Sequence, residues 1–132
     1  MTITVIRDQS LPMRHIVHVR NHLISADGSV EEGGSDAGPS PHDLYDAAVS
    51  ACKALTVVWY ARRKNIPLEN VEVTLERDAS EERHGTYRLA ATLLLSGDLS
   101  DEQRNELLAA SHKCPIQKLM TAVTTEITTV LG

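Results

Sequence analysis

Phenylalanine is missing from these 132 residues, and the chain has only one tryptophan and three tyrosines. Leu, Val, Ile and Ala must therefore fill the interior. Small packing residues suit close helix and sheet contacts better than a roomy cofactor cavity. No apolar run reaches the roughly 18 residues that mark a membrane span. The first residues, Met1 to Gln9, carry charge and lack the apolar centre of a signal peptide. These absences predict a cytoplasmic protein with no membrane partner. The 13 Lys and Arg residues are scattered through a chain of formal charge −5. No basic stripe is interleaved with aromatics, so nucleic acid is not an expected partner. Cysteine is scarce, with two residues. In a reducing compartment that argues against a permanent disulfide and leaves transient redox use open.

Common chemical motifs are also missing. There is no G-x-G-x-x-G, no P-loop and no G-x-S-x-G. The six histidines (15, 18, 22, 42, 84 and 112) match no zinc spacing, so no metal and no bound cofactor are expected. His18 and His22 read as ordinary strand residues. Gly33-Gly34 lacks a preceding strand and a phosphate-binding turn, and reads as loop.

What is present fits one domain over residues 1–132, with 42% apolar residues to build a core. Thr2 to Arg7 is β-branched and predicts a strand, and Arg14 to Ile24 predicts one or two more. Glu31 to Pro41 is a long Gly/Pro/Ser loop, a length that hints at function. Ser40-Pro41-His42-Asp43 is a helix start: an N-cap, a proline at the first position and a first-turn carboxylate. That helix should run to Lys64, with Asn65 and Pro67 stopping it. It is apolar nearly all round, with a thin polar stripe of Asp43, Asp46, Ser50 and Lys53. The pattern predicts burial on most sides, partly by a partner subunit. Val71 to Leu75 and Tyr87 to Leu93 alternate like an antiparallel hairpin around the charged turn Asp78 to Gly85. Ser100 should cap a second helix to His112, Cys114-Pro115 should open a short third one to Ala122, and Val123 to Leu131 should form a last strand. Strands and helices arrive in blocks, which favours α+β.

Two residues stand out chemically. Cys52 sits mid-helix, sharing a face with Tyr45, Leu55 and Trp59, and a lone cysteine there is most often packing. Cys114 falls at a helix N-cap beside Lys113 and His112, a setting that favours thiolate.

The stretch Gly33-Gly34-Ser35-Asp36-Ala37-Gly38-Pro39-Ser40-Pro41-His42-Asp43-Leu44, then Ala47 to Cys52, then Tyr60 to Leu68, resembles the OsmC/Ohr family. Lys113-Cys114-Pro115-Ile116 is similar to the family's second signature, and His22 to Gly28 to its N-terminal sheet. The resemblance implies an OsmC-like α+β fold: antiparallel sheets, a long buried central helix and an intertwined homodimer. It implies a thiol peroxidase in which Cys52 attacks an organic hydroperoxide and becomes a sulfenic acid. Cys114 then resolves that acid as a disulfide, and a lipoyl-type dithiol restores the thiols. The family uses an N-terminal arginine to keep the first thiol ionised. Arg20 is the candidate, with Arg14 second. Ten positions before Cys52, where peroxidase members carry a glutamate that holds this arginine, the chain has His42 followed by Asp43. Asp43 can stand in as the carboxylate or act only as a first-turn helix residue, and the departure marks a divergent member. Tyr45, Leu55 and Trp59 would line an apolar substrate pocket at the dimer interface. The alternative is a non-catalytic protein of the same fold that binds a small hydrophobic ligand or senses redox state.

Overall fold

The computed structural model describes residues 1–132 and has a mixed α+β architecture with antiparallel sheets and three α-helices. The chain packs as two compact units, residues 1–45 and 46–132.

In the first unit, strands β1 (Ile3–Arg7), β2 (His15–Val19) and β3 (His22–Ala26) form an antiparallel meander. Arg20 does not lie on a strand. It turns the corner between β2 and β3 with φ of 52°, and its side chain is exposed. A two-residue hairpin connection needs positive φ, which displaces Arg20 from the ladder. Arg14 precedes β2. Its guanidinium donates to Ser25 Oγ at 2.9 Å and pairs with Asp8 at 2.5 Å.

The Gly-rich loop after β3 is organised by one buried carboxylate. Asp27 accepts backbone N–H bonds from Gly28 (2.8 Å), Ser35 (3.2 Å) and Ala37 (3.0 Å). These bonds, led by that of Ala37, hold the Asp27 carboxyl below the usual carboxylate range against the opposing effect of burial. The loop also folds tightly back on itself. A Cβ on Gly34 would lie 2.2 Å from the Gly28 carbonyl oxygen, so no other residue fits there without moving backbone.

Helix α1 (Pro41–Arg63) begins as the sequence predicts. Ser40 Oγ accepts the Asp43 N–H at 3.1 Å, and Asp43 Oδ2 accepts the Ser40 N–H at 2.9 Å, a reciprocal cap. Arg62 and Arg63 close its last turn, and Asn65 takes the left-handed conformation that ends it.

In the second unit, β4 (Leu68–Asp78) and β5 (Arg88–Gly97) pair as an antiparallel hairpin, joined through a 3-10 turn at Glu82–His84. Helix α2 (Asp101–Ser111) starts with a capping box between Ser100 and Gln103, and α3 (Pro115–Thr121) starts at the N-cap Cys114. The core is Val57 and Ala61 from α1, Ile66, and Leu107 from α2, with Val71, Leu93 and Leu95 of the hairpin packed against them.

Two expectations fail here. The apolar sides of α1 are not all buried within the chain: Leu55 (71% exposed) and Trp59 (59%) point outward, while Asp46 of the polar stripe is buried with Val49 and Val57. The cause is pairing. Asp46 accepts from Arg77 Nε at 2.5 Å and from the Tyr87 hydroxyl at 2.7 Å, so the hairpin supplies the partners that make its burial tolerable. The predicted last strand is also absent. From residue 124 onward the backbone is irregular, with Ile127, Val130 and Leu131 almost fully exposed. Alternation alone cannot make a strand; a sheet edge must accept it, and none in the chain does.

Candidate functional site

The two cysteines, distant in sequence, meet in the second unit. Cys52 is carried by α1 and Cys114 by the corner between α2 and α3, and Cys52 is close enough to act on the Cys114 thiol. Both are free thiols. Their exposures differ. Cys114 is the deeper sulfur, with no solvent exposure, and Cys52 is only partly buried. Cys52 lies on the flank of α1, between the face packed on the hairpin and the outward face of Leu55 and Trp59. A molecule arriving from solvent reaches Cys52 first.

The local sequence explains the position of Cys114. Pro115 at the first helical position fixes the turn, and Cys114 as N-cap directs its sulfur at the Gln117 N–H, 3.3 Å away. The expectation of an easily ionised Cys114 is overturned. Burial pushes its thiol up, and the neighbouring Cys52 sulfur pushes it further. The Gln117 N–H and the Lys53 ammonium pull it down, but not enough. His112 and Lys113, expected to supply positive potential, are exposed, and the cation that acts on Cys114 is Lys53.

Lys53, Ser111 and Gln117 were not singled out by sequence. Lys53 Nζ donates to the Ser111 carbonyl at 3.1 Å and to Gln117 Oε1. The available signal was a lysine directly after Cys52 in an otherwise apolar helix.

The remaining candidates are placed as follows. His42 and Asp43 lie in the first turn of α1, where Asp43 closes the cap with Ser40. Arg20 and Arg14 belong to the first unit, at the positions given above. Tyr45, Leu55 and Trp59 lie on the outside of α1, and Arg63 stacks its guanidinium 5.1 Å from the Trp59 ring centre. Within one chain they enclose no pocket. A groove of about 600 Å³ lies elsewhere, along the hairpin, lined by Glu76, Arg77, Tyr87 and Arg88 among others. No helix is long and apolar enough to cross a membrane.

Solved structures share this fold. A putative osmotic stress induced and detoxification response protein from Psychrobacter arcticus superposes with a TM-score of 0.70 at 22% identity, over 89% of this chain and 86% of that one. An organic hydroperoxide resistance protein OsmC from Legionella pneumophila gives 0.66 at 21% identity, over 92% and 88%. The organic hydroperoxide resistance protein OhrB of Bacillus subtilis gives 0.60 at 20% identity, over 92% and 90%. No curated protein matches the chain. The model of the OsmC-like protein family matches residues 33–129, which include both cysteines and the loop and helix leading to the first, and the chain belongs to that family.

Proposed function

We propose that this protein is a thiol-dependent peroxidase that reduces organic hydroperoxides through Cys52 and Cys114. The observation that carries the reading is the meeting of a partly exposed sulfur with a buried one, both reduced. Cys52, as thiolate, attacks the terminal peroxide oxygen. The O–O bond breaks, the alcohol leaves after taking a proton, and Cys52 becomes a sulfenic acid. Cys114 then closes the disulfide with loss of water, and a lipoyl-type dithiol exchanges it back to thiols. Arg20 is the proposed cation for Cys52, with Asp43 the carboxylate that would orient it and His42 beside it. The apolar outer face of α1, with Tyr45, Leu55 and Trp59, is proposed to meet a second copy of the chain. The resulting homodimer would shelter an apolar peroxide beside Cys52. The setting would be the cytoplasm, where thiols are kept reduced.

The test is turnover of cumene hydroperoxide with dihydrolipoamide as reductant. Wild type should turn over and Cys52→Ser should not; equal rates for the two would reject the proposal. Equimolar peroxide should remove two hydrogens per chain by mass spectrometry.

A second reading, a non-catalytic binder of a small hydrophobic ligand or a redox sensor, is favoured by His42 in place of the family's glutamate. It predicts that Cys52→Ala lowers stability while neither thiol reacts unusually fast at neutral pH.

A further inference from the structure

Lys53 is tied to the residues on either side of the buried sulfur, and the groups that hold it are neutral. Its ammonium donates to the Ser111 carbonyl at the end of α2 and to the Gln117 side chain on α3. Neither acceptor carries charge, so the field of Lys53 is not cancelled by a carboxylate. Gln117 completes the link, since its backbone N–H points at Cys114 Sγ. The titratable groups that act on Cys114 are Cys52 and Lys53, both from α1, while α2 and α3 contribute uncharged Ser111 and Gln117.

We infer that Lys53 is a positioning residue for the second half of the redox cycle, holding Cys114 against Cys52 and making its ionisation possible at the moment of disulfide closure. This rests on the peroxidase reading above. In the resting pair a Cys52 thiolate opposes ionisation of Cys114, so the two sulfurs are not charged together. Oxidation of Cys52 to the uncharged sulfenic acid removes that opposition, and Lys53 together with the Gln117 N–H then favours the Cys114 thiolate. The Cys114 thiolate attacks Cys52 Sγ. An S–S bond forms and the S–O bond breaks. The departing hydroxide takes a proton and leaves as water. The Cys52 sulfur is reduced and the Cys114 sulfur oxidised by the same amount, so the only oxidant consumed is the hydroperoxide. The loss of charge at Cys52 thus makes the closing step follow the first oxidation, and Lys53 favours the thiolate that carries it out.

Two measurements test this. In a Cys52→Ser background Cys114 is the sole thiol, and its thiolate absorbance can be titrated against pH without any peroxide. Lys53→Met should move the midpoint upward by about one unit, a tenfold loss of thiolate at a given pH, and Lys53→Arg should restore most of it. In the two-cysteine protein, cumene hydroperoxide should still oxidise Cys52 in Lys53→Met, trapped as a dimedone adduct, while disulfide closure slows about tenfold. Identical titrations for Lys, Met and Arg at this position, or an unchanged closure rate, overturn the assignment. A structural prop at the end of α2 would lower stability in Lys53→Met without moving the thiolate midpoint. A wild-type protein that forms no sulfenic acid overturns the peroxidase reading instead, and the titration still decides what Lys53 does to Cys114.

Discussion

At the residue scale the second unit is tied together by one acid. Asp46 is the acceptor for both Arg77 and Tyr87, and so fastens α1 to β4 and to the residue just before β5. Tyr87 is correspondingly hard to ionise: burial, then its bond to Asp46, pushes it up to about 12. The neutral phenol is the form the fold prefers. Its contribution is therefore fully present below the ordinary tyrosine value of about 10 and is lost as pH rises through about 12. A phenolate absorbance titration of wild type minus Tyr87→Phe should show a tyrosine that ionises in that upper window. An ordinary midpoint would contradict the bond. Asp46→Ala should lower unfolding free energy by about 1–3 kcal/mol, because it removes the charged acceptor of a half-buried hydroxyl and guanidinium. Denaturant midpoints at constant slope would measure it. Asp27 works in the opposite sense. Its lowered carboxyl gives stability that is present above about 3.9 and fades as pH falls through its folded value. Amide exchange at Ser35 and Ala37 should accelerate in that acid range, and Asp27→Asn should remove the pH dependence.

At the element scale α1 does three jobs with three faces. Its inner face, Val57 and Ala61, supplies core; its flank carries Cys52; its outer face is apolar and exposed. The reciprocal Ser40–Asp43 cap sets where the helix begins, and so which residue falls on which face. Ser40→Ala should cost about 1 kcal/mol while leaving the cysteine pair intact, checked by thermal unfolding beside thiol reactivity. Helix α2 is anchored differently. Leu107 is fully buried against α1 and the hairpin. Leu107→Ala should cost about 2–5 kcal/mol by leaving a cavity. It should also loosen the α2–α3 corner that holds Cys114, which faster alkylation of Cys114 would report.

At the scale of the whole molecule, large apolar side chains remain outside both units: Ile3 and Val5 on β1, Leu55 and Trp59 on α1, and Ile127 to Leu131 at the end of the chain. Large exposed apolar side chains on a helix face often mark a surface that meets another molecule. The proposed homodimer is such a meeting, and sedimentation should show two copies at micromolar concentration. Leu55→Glu with Trp59→Glu should yield monomers that keep the circular dichroism of the fold. A wild-type protein that sediments as a monomer would sink the dimer, and with it the sheltered peroxide site.

Much of the fold was readable in the sequence because its signals are local. Caps at Ser40 and Ser100, the stop at Asn65, Pro115 after Cys114 and the alternation of β4 and β5 each depend on neighbours within a few residues. Those signals, with the two cysteine blocks, also pointed to the right family. Tertiary structure alone decided the rest. It placed Asp46 inside because Arg77 and Tyr87, far along the chain, were there to bind it. It left the last segment unpaired, outside both sheets, although its residues alternate. It also made Cys114 the deeper sulfur, and that burial outweighs the pull of Lys53 and overturns the expected ease of ionisation. Burial and electric field are properties of what surrounds a group in space, and a linear sequence does not state which distant side chains those will be.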